Sequence, residues 1–168
     1  MTTPRFDPAS RKNVDRTADP YIPRKAEPEA GICRDCHAIH RKKRWYMDEK
    51  EYAALARAGA PFRRCPACRK TADGLPSGIV TLRGRFLITH RDEILTIARN
   101  EERRARGMNP LERIMEIRDR DETVELLTTD EKLAQRIGRE IRKACRGTVA
   151  YKWSEDANLL RVTWVRDA

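Results

Sequence analysis

Cys33-Arg-Asp-Cys36 and Cys65-Pro-Ala-Cys68 decide how this chain is read. Two residues between cysteines let a tight turn aim both sulfurs at one point. Two such knuckles supply the four soft ligands of a tetrahedral Zn²⁺. The 28 residues between the pairs exceed the usual ribbon spacing, so a strand and a helix are expected there. Disulfides are the competing use of paired cysteines. The basic start, Met1 to Arg16, lacks the apolar core of a secretory signal. A reducing, cytoplasmic setting is therefore expected, and Cys33, Cys36, Cys65 and Cys68 are read as metal ligands. Cys33-x-x-Cys36-His37 also fits the c-type haem attachment pattern, but that chemistry mostly needs export and leaves the second pair unused. With four thiolates in place, His37 and His40 are expected on the surface. Cys145 stands alone near a helix end and reads as a buried, inert thiol.

The segment between the pairs carries the charge. Arg41, Lys42, Lys43 and Arg44, followed by Trp45 and Tyr46, fit a nucleic-acid contact in which cations meet phosphates and aromatics stack on unpaired bases. Arg63, Arg64, Arg69 and Lys70 flank the second knuckle, so both knuckles surround the metal with positive charge. The plainer alternative is a solvated strand with Trp45 packed on the metal module. Asp48 with Glu51 forms a capping box for a short helix that presents Tyr52, Leu55 and Ala56 on one face and ends at Gly59 and Pro61.

Residues 78–168 read as a β-α-β-β-α-β-β domain, making the fold class α+β. Ile79 to Arg83 suits a strand. Thr89 with Asp92 opens a helix that buries Ile94, Ile97 and Ala98 and stops near Gly107. Two strands, Arg113 to Arg118 and Thr123 to Leu127, flank a turn. Thr128 with Glu131 caps a second helix repeating Leu133, Ile137, Ile141 and Ala144. A final hairpin pairs Thr148–Trp153 with Leu159–Val165, and its parity aims Trp153 and Trp164 at the helices. Arg83, Lys152 and Arg161 then fall on the outer sheet face.

The chain has 168 residues, a net charge of +10 and a mean hydropathy of −0.78. Residues 1–30, 31–77 and 78–168 carry +1, +6 and +3, so the surplus sits in the cysteine segment. That balance favours a polyanionic partner. No stretch approaches the roughly 20 apolar residues of a membrane span. Residues 1–30 hold five of the nine prolines and little apolar surface, and are expected to form a disordered arm that could order on a partner through Phe6 and Tyr21. Three domains are thus expected: a Pro-rich arm at 1–30, a four-cysteine, zinc-ribbon-like module at 31–77 and an α+β domain at 78–168. No G-x-S-x-G elbow, phosphate loop or open metal position is visible, so no enzyme and no small-molecule substrate are expected.

The two knuckles, the segment Ser77-Gly-Ile-Val-Thr-Leu-Arg83 and the segment Thr128-Thr-Asp-Glu-Lys-Leu-Ala134 together resemble the N-terminal half of the NMD-type adapters. Those proteins export and mature the large ribosomal subunit, and a small bacterial group shares the layout. The resemblance spans roughly residues 31–166. It implies ribosomal-RNA contact through the metal module, with the large subunit as partner. The chain departs from the family in having two knuckle pairs where the adapters carry further cysteines, and in lacking an evident leucine-rich export tail, so nuclear export is not implied. The expected function is that of a non-catalytic, zinc-binding, ribosome-associated protein acting in maturation, quality control or dormancy. Two alternatives stay open. One is a zinc-containing DNA-binding regulator. The other is an iron-bearing redox protein, because the cysteine spacing is close to that of rubredoxins.

Overall fold

A computed structural model describes residues 30–154 and 158–168. The expected arm, apart from Ala30, and residues 155–157 of the last hairpin loop lie outside the described residues. Twelve elements follow in order: β1 (Ala30–Ile32), β2 (Ala38–Arg41), β3 (Arg44–Met47), α1 (Glu49–Arg57), α2 (Pro66–Asp73), β4 (Gly78–Arg83), α3 (Arg85–Met108), β5 (Ile114–Arg120), β6 (Thr123–Thr128), α4 (Glu131–Cys145), β7 (Thr148–Ser154) and β8 (Leu159–Val165). They make a three-stranded sheet, β1-β2-β3, and a five-stranded sheet ordered β5-β6-β4-β8-β7. The α+β class holds.

In the larger sheet β4 is the centre, antiparallel to β6 and parallel to β8. Alternation along each strand sends Val80, Leu82, Val124, Leu126, Leu160, Val162 and Trp164 to one face, where all are buried. Helices α3 and α4 both cover that face. Helix α4 buries Leu133, Ile137 and Ile141, each contributing about 1.5–3 kcal/mol. It lies close because its contact residues are small. A Cβ added at Gly138 would come within 2.5 Å of Val162 Cγ1, and one at Gly78 within 2.5 Å of Ala134 Cβ.

Several local expectations need correction. Thr128 does not cap α4: it ends β6, its hydroxyl bonded to the Gly78 and Asp130 carbonyls, and Asp130 caps instead by accepting from the Lys132 amide at 2.8 Å. Helix α3 starts at Arg85, before Thr89, and is interrupted at His90 (φ −119°, ψ 20°). The Thr89 hydroxyl there bonds the Phe86 carbonyl and His90 Nδ1 rather than capping. Trp164 is fully buried and donates its indole N–H to the Arg146 carbonyl at 2.7 Å. Trp153, by contrast, is 38% exposed, on β7 at the edge of the sheet.

Candidate metal centre and basic hairpin

The first knuckle closes the β1–β2 hairpin. The Cys33 amide donates to the Ala38 carbonyl at 2.8 Å and the His37 amide to the Cys33 carbonyl at 2.9 Å, with His37 turning the chain at φ 63°. The second knuckle is a helix start that the sequence reading missed. Cys65 is the N-cap of α2, Pro66 occupies the first turn, and Gly74 closes the helix in the left-handed region. The Cys65 sulfur accepts from the Cys68 amide at 3.4 Å, and the Cys65 amide donates to the Cys33 sulfur at 3.3 Å. Two backbone bonds, Ile32 to Pro61 and Arg63 to Ile32, lay the incoming chain along β1 and bring the knuckles together.

The four sulfurs lie within 4.8 Å of one another, with Cys36 and Cys65 at 3.7 Å. Tetrahedral coordination at a metal–sulfur distance of about 2.3 Å requires sulfurs about 3.8 Å apart, a spacing that the Cys36–Cys65 pair already has and that the other sulfurs reach by shifts of about an ångström or less. Cys33, Cys65 and Cys68 are buried and Cys36 half-buried, and none of the five cysteines is in a disulfide. Among the thiols alone, the hydrogen bond from Cys65 holds the Cys36 thiol down to about 4. The same bond and burial drive Cys65 upward, and burial pushes Cys68 up to about 11. Cys145 is buried near the end of α4 with its pKa raised by burial, which makes it a poor nucleophile.

Arg113 completes the centre, and nothing in its local sequence announced it. Its Nη2 donates to the Cys65 sulfur at 3.1 Å and to the Cys68 sulfur at 3.4 Å. Burial works against its charge, but the bond to Cys68 and the negative charge on the sulfurs outweigh it and raise its pKa. The loop that carries Arg113 is built for the purpose. Buried Thr129 accepts from the Arg113 amide at 2.8 Å and donates to the Leu111 carbonyl at 2.6 Å. Asn109 Oδ1 accepts from the Leu111 amide, while Glu112 pairs with Arg136 of α4. Leu111 packs against the cysteines. Lys70 reaches the other way, from α2 to the Ser77 hydroxyl at 2.7 Å and the Thr129 carbonyl at 3.2 Å. The cysteine segment and the larger sheet therefore meet at the sulfurs.

The ten residues expected to contact nucleic acid are placed unequally. Lys42 and Lys43 form the two-residue turn between β2 and β3, both at positive φ (51° and 63°), and Arg41 pairs directly across from Arg44. All four are exposed; Arg41 meets Glu51 at 2.8 Å, while Lys42, Lys43 and Arg44 have no partner among the described residues. Trp45 is half-buried and packs against the cysteines, tilted on His40. The Tyr46 hydroxyl donates to Glu51 at 2.9 Å. Arg63 lies across Gly31, Arg64 pairs with Asp35 at 2.7 Å, and Arg69 is half-buried. Lys70 serves as the tie described above. His37 is exposed as expected, stacked on Tyr52, but His40 is not. It sits at 8% exposure in the central strand, registered between Gly31 and Trp45 and in contact with the Trp45 ring.

The fold and site thus define an α+β protein with a four-cysteine cluster of metal-binding geometry and a cationic hairpin projecting beside it. No family model, no curated protein and no solved structure matches this chain. Among the described residues, no helix is long and apolar enough to cross a membrane.

Proposed function

We propose that the chain is a non-catalytic, zinc-binding, ribosome-associated protein that contacts large-subunit RNA through the β2–β3 hairpin, in the cytoplasm and in the manner of the NMD-type adapters it resembles. The observation carrying this reading is the turn at Lys42 and Lys43. A two-residue hairpin turn with both φ values positive is built for Asn-Gly, and left-handed backbone costs a side-chain-bearing residue about 1–2 kcal/mol. Facing like charges, here Arg41 and Arg44, destabilise a strand pair further. Four cations gathered where they weaken the fold, three of them without a partner among the described residues, are accounted for by a polyanion outside the chain.

Zinc is the ion that best fits four thiolates in a reducing setting. A divalent ion on four thiolates leaves a net negative centre, which Arg113 partly offsets. Four protein ligands fill a tetrahedral ion and leave no position for activated water, in keeping with a structural site. The test is sedimentation of cell lysate at low salt. Co-migration with the large subunit is expected, displaced by raising the salt; absence from every ribosomal fraction would count against the proposal. A clear preference for duplex DNA over structured RNA would transfer the reading to a DNA-binding regulator, and visible absorbance from bound iron to a redox protein.

A further inference from the structure

The five-stranded sheet has a second face that neither helix covers. Strand register sets its composition. One row across the sheet reads Glu116, Leu127, Ile79, Arg161, Lys152; the next reads Arg118, Glu125, Thr81, Thr163, Ala150; the last reads Arg120, Thr123, Arg83, Val165, Thr148. Arg83, Arg118, Arg120, Lys152 and Arg161 are all exposed, against the two acids Glu116 and Glu125. Arg118 is met by Glu116 at 2.9 Å. Arg83, Arg120, Lys152 and Arg161 have no partner among the described residues, and Lys152 stands directly opposite Arg161, again a like-charge pair that costs stability. Between the cations lie the small polar side chains Thr81, Thr163, Thr123 and Thr148, with Ile79, Ala150, Val165 and the buried Leu127 as the apolar members of the face.

We infer that this face docks the sugar–phosphate backbone of base-paired RNA, a second contact that rests on the RNA reading above. The surface is complementary to a polyanion, and the cations are spread over strands about 4.8 Å apart rather than gathered at a tip. Its described residues include no aromatic: Tyr151, Trp153 and Trp164 all fall on the opposite parity. A face without rings cannot stack unpaired bases, which is how single strands are held. Arginines and threonine hydroxyls suit phosphates and 2′-hydroxyls, the groups an RNA double helix displays across its shallow groove.

The experiment uses the full, metal-loaded chain and fluorescence anisotropy with a hairpin RNA of about 16 base pairs, the span of two minor grooves. Its controls are the unpaired strand and the DNA duplex of the same sequence. The triple variant R83Q/K152Q/R161Q is expected to lose tenfold or more on the RNA duplex, with a salt slope shallower by about 2–3, and to keep its affinity for the unpaired strand. The charge-preserving R83K/K152R/R161K is expected to bind the duplex like the parent chain. Unchanged duplex affinity and slope in the glutamine variant, while K42Q/K43Q/R44Q weakens binding, would overturn the sheet contact and leave the RNA reading standing. An equal loss on the unpaired strand, or a DNA duplex bound as tightly as RNA, would overturn the assignment to base-paired RNA. Failure of the parent chain to bind any of the RNAs would overturn both readings.

Discussion

Replacing Arg113 by methionine removes, among the described residues, the one side chain outside the cysteine segment that hydrogen-bonds to the sulfurs, while roughly keeping its apolar stem. In the structure a single Nη2 donates to two sulfurs, at 3.1 and 3.4 Å. A hydrogen bond to a charged group contributes about 1.5–3 kcal/mol, and losing the donor leaves electron-rich sulfurs in a buried site. Opposing this, the variant is spared the cost of burying a guanidinium. Outer-shell losses at metal sites typically weaken affinity about 10–100-fold, or about 1.4–2.8 kcal/mol. Arg113→Met should therefore raise the zinc dissociation constant by that factor, measured by competition with a chromophoric chelator. Arg64→Met, which breaks only the exposed pair with Asp35, should leave it unchanged. An R113M protein that holds zinc within twofold of the parent would refute the idea that the guanidinium steadies the centre.

The hairpin turn should show a trade between stability and binding. K42N/K43G supplies the residues a turn with two positive φ values prefers, so unfolding should become harder by about 1–2 kcal/mol in a denaturant melt while RNA affinity falls. Gly138→Ala would ordinarily favour a helix, but its Cβ would meet Val162 Cγ1 at 2.5 Å. The expected result is a loss of about 1–3 kcal/mol by thermal melt, and a gain in stability would refute the close approach of α4 to β8. Cys65 and Cys68 hold their protons at neutral pH, so zinc uptake should release both. Apparent affinity should then fall as the pH drops, as calorimetry in buffers of different ionisation enthalpy would report.

What could be read before folding was what neighbours in sequence decide. The knuckle spacing placed the four sulfurs, and Asp48 does accept from the Glu51 amide at 2.9 Å to start α1. The four-residue repeat of α4 and the strand parity that sends Arg83, Lys152 and Arg161 outward were legible for the same reason. Helix α2 is signalled only by Pro66 in its first turn and Gly74 at its end; with eight residues it is too short for a hydrophobic repeat to mark it, and the docking of Cys65 and Cys68 on the first knuckle holds it in place. Thr128, expected to cap α4, is instead drawn into β6 by pairing with Gly78, fifty residues away, which leaves the cap to Asp130. Arg113 and buried His40 were invisible for a stronger reason. Each takes its role from residues brought beside it only by the fold, and Trp45, which fitted base stacking in sequence, is turned inward onto the cysteines by the same strand pairing.

The most direct measurement is RNA affinity as a function of metal occupancy: the chain is titrated with ribosomal RNA when zinc-loaded, after chelation, and after zinc is restored. Binding is predicted to drop on chelation and to return with one ion per chain, because the ion holds the strands that aim the Lys42–Lys43 turn. Equal affinity in all three states would contradict the account.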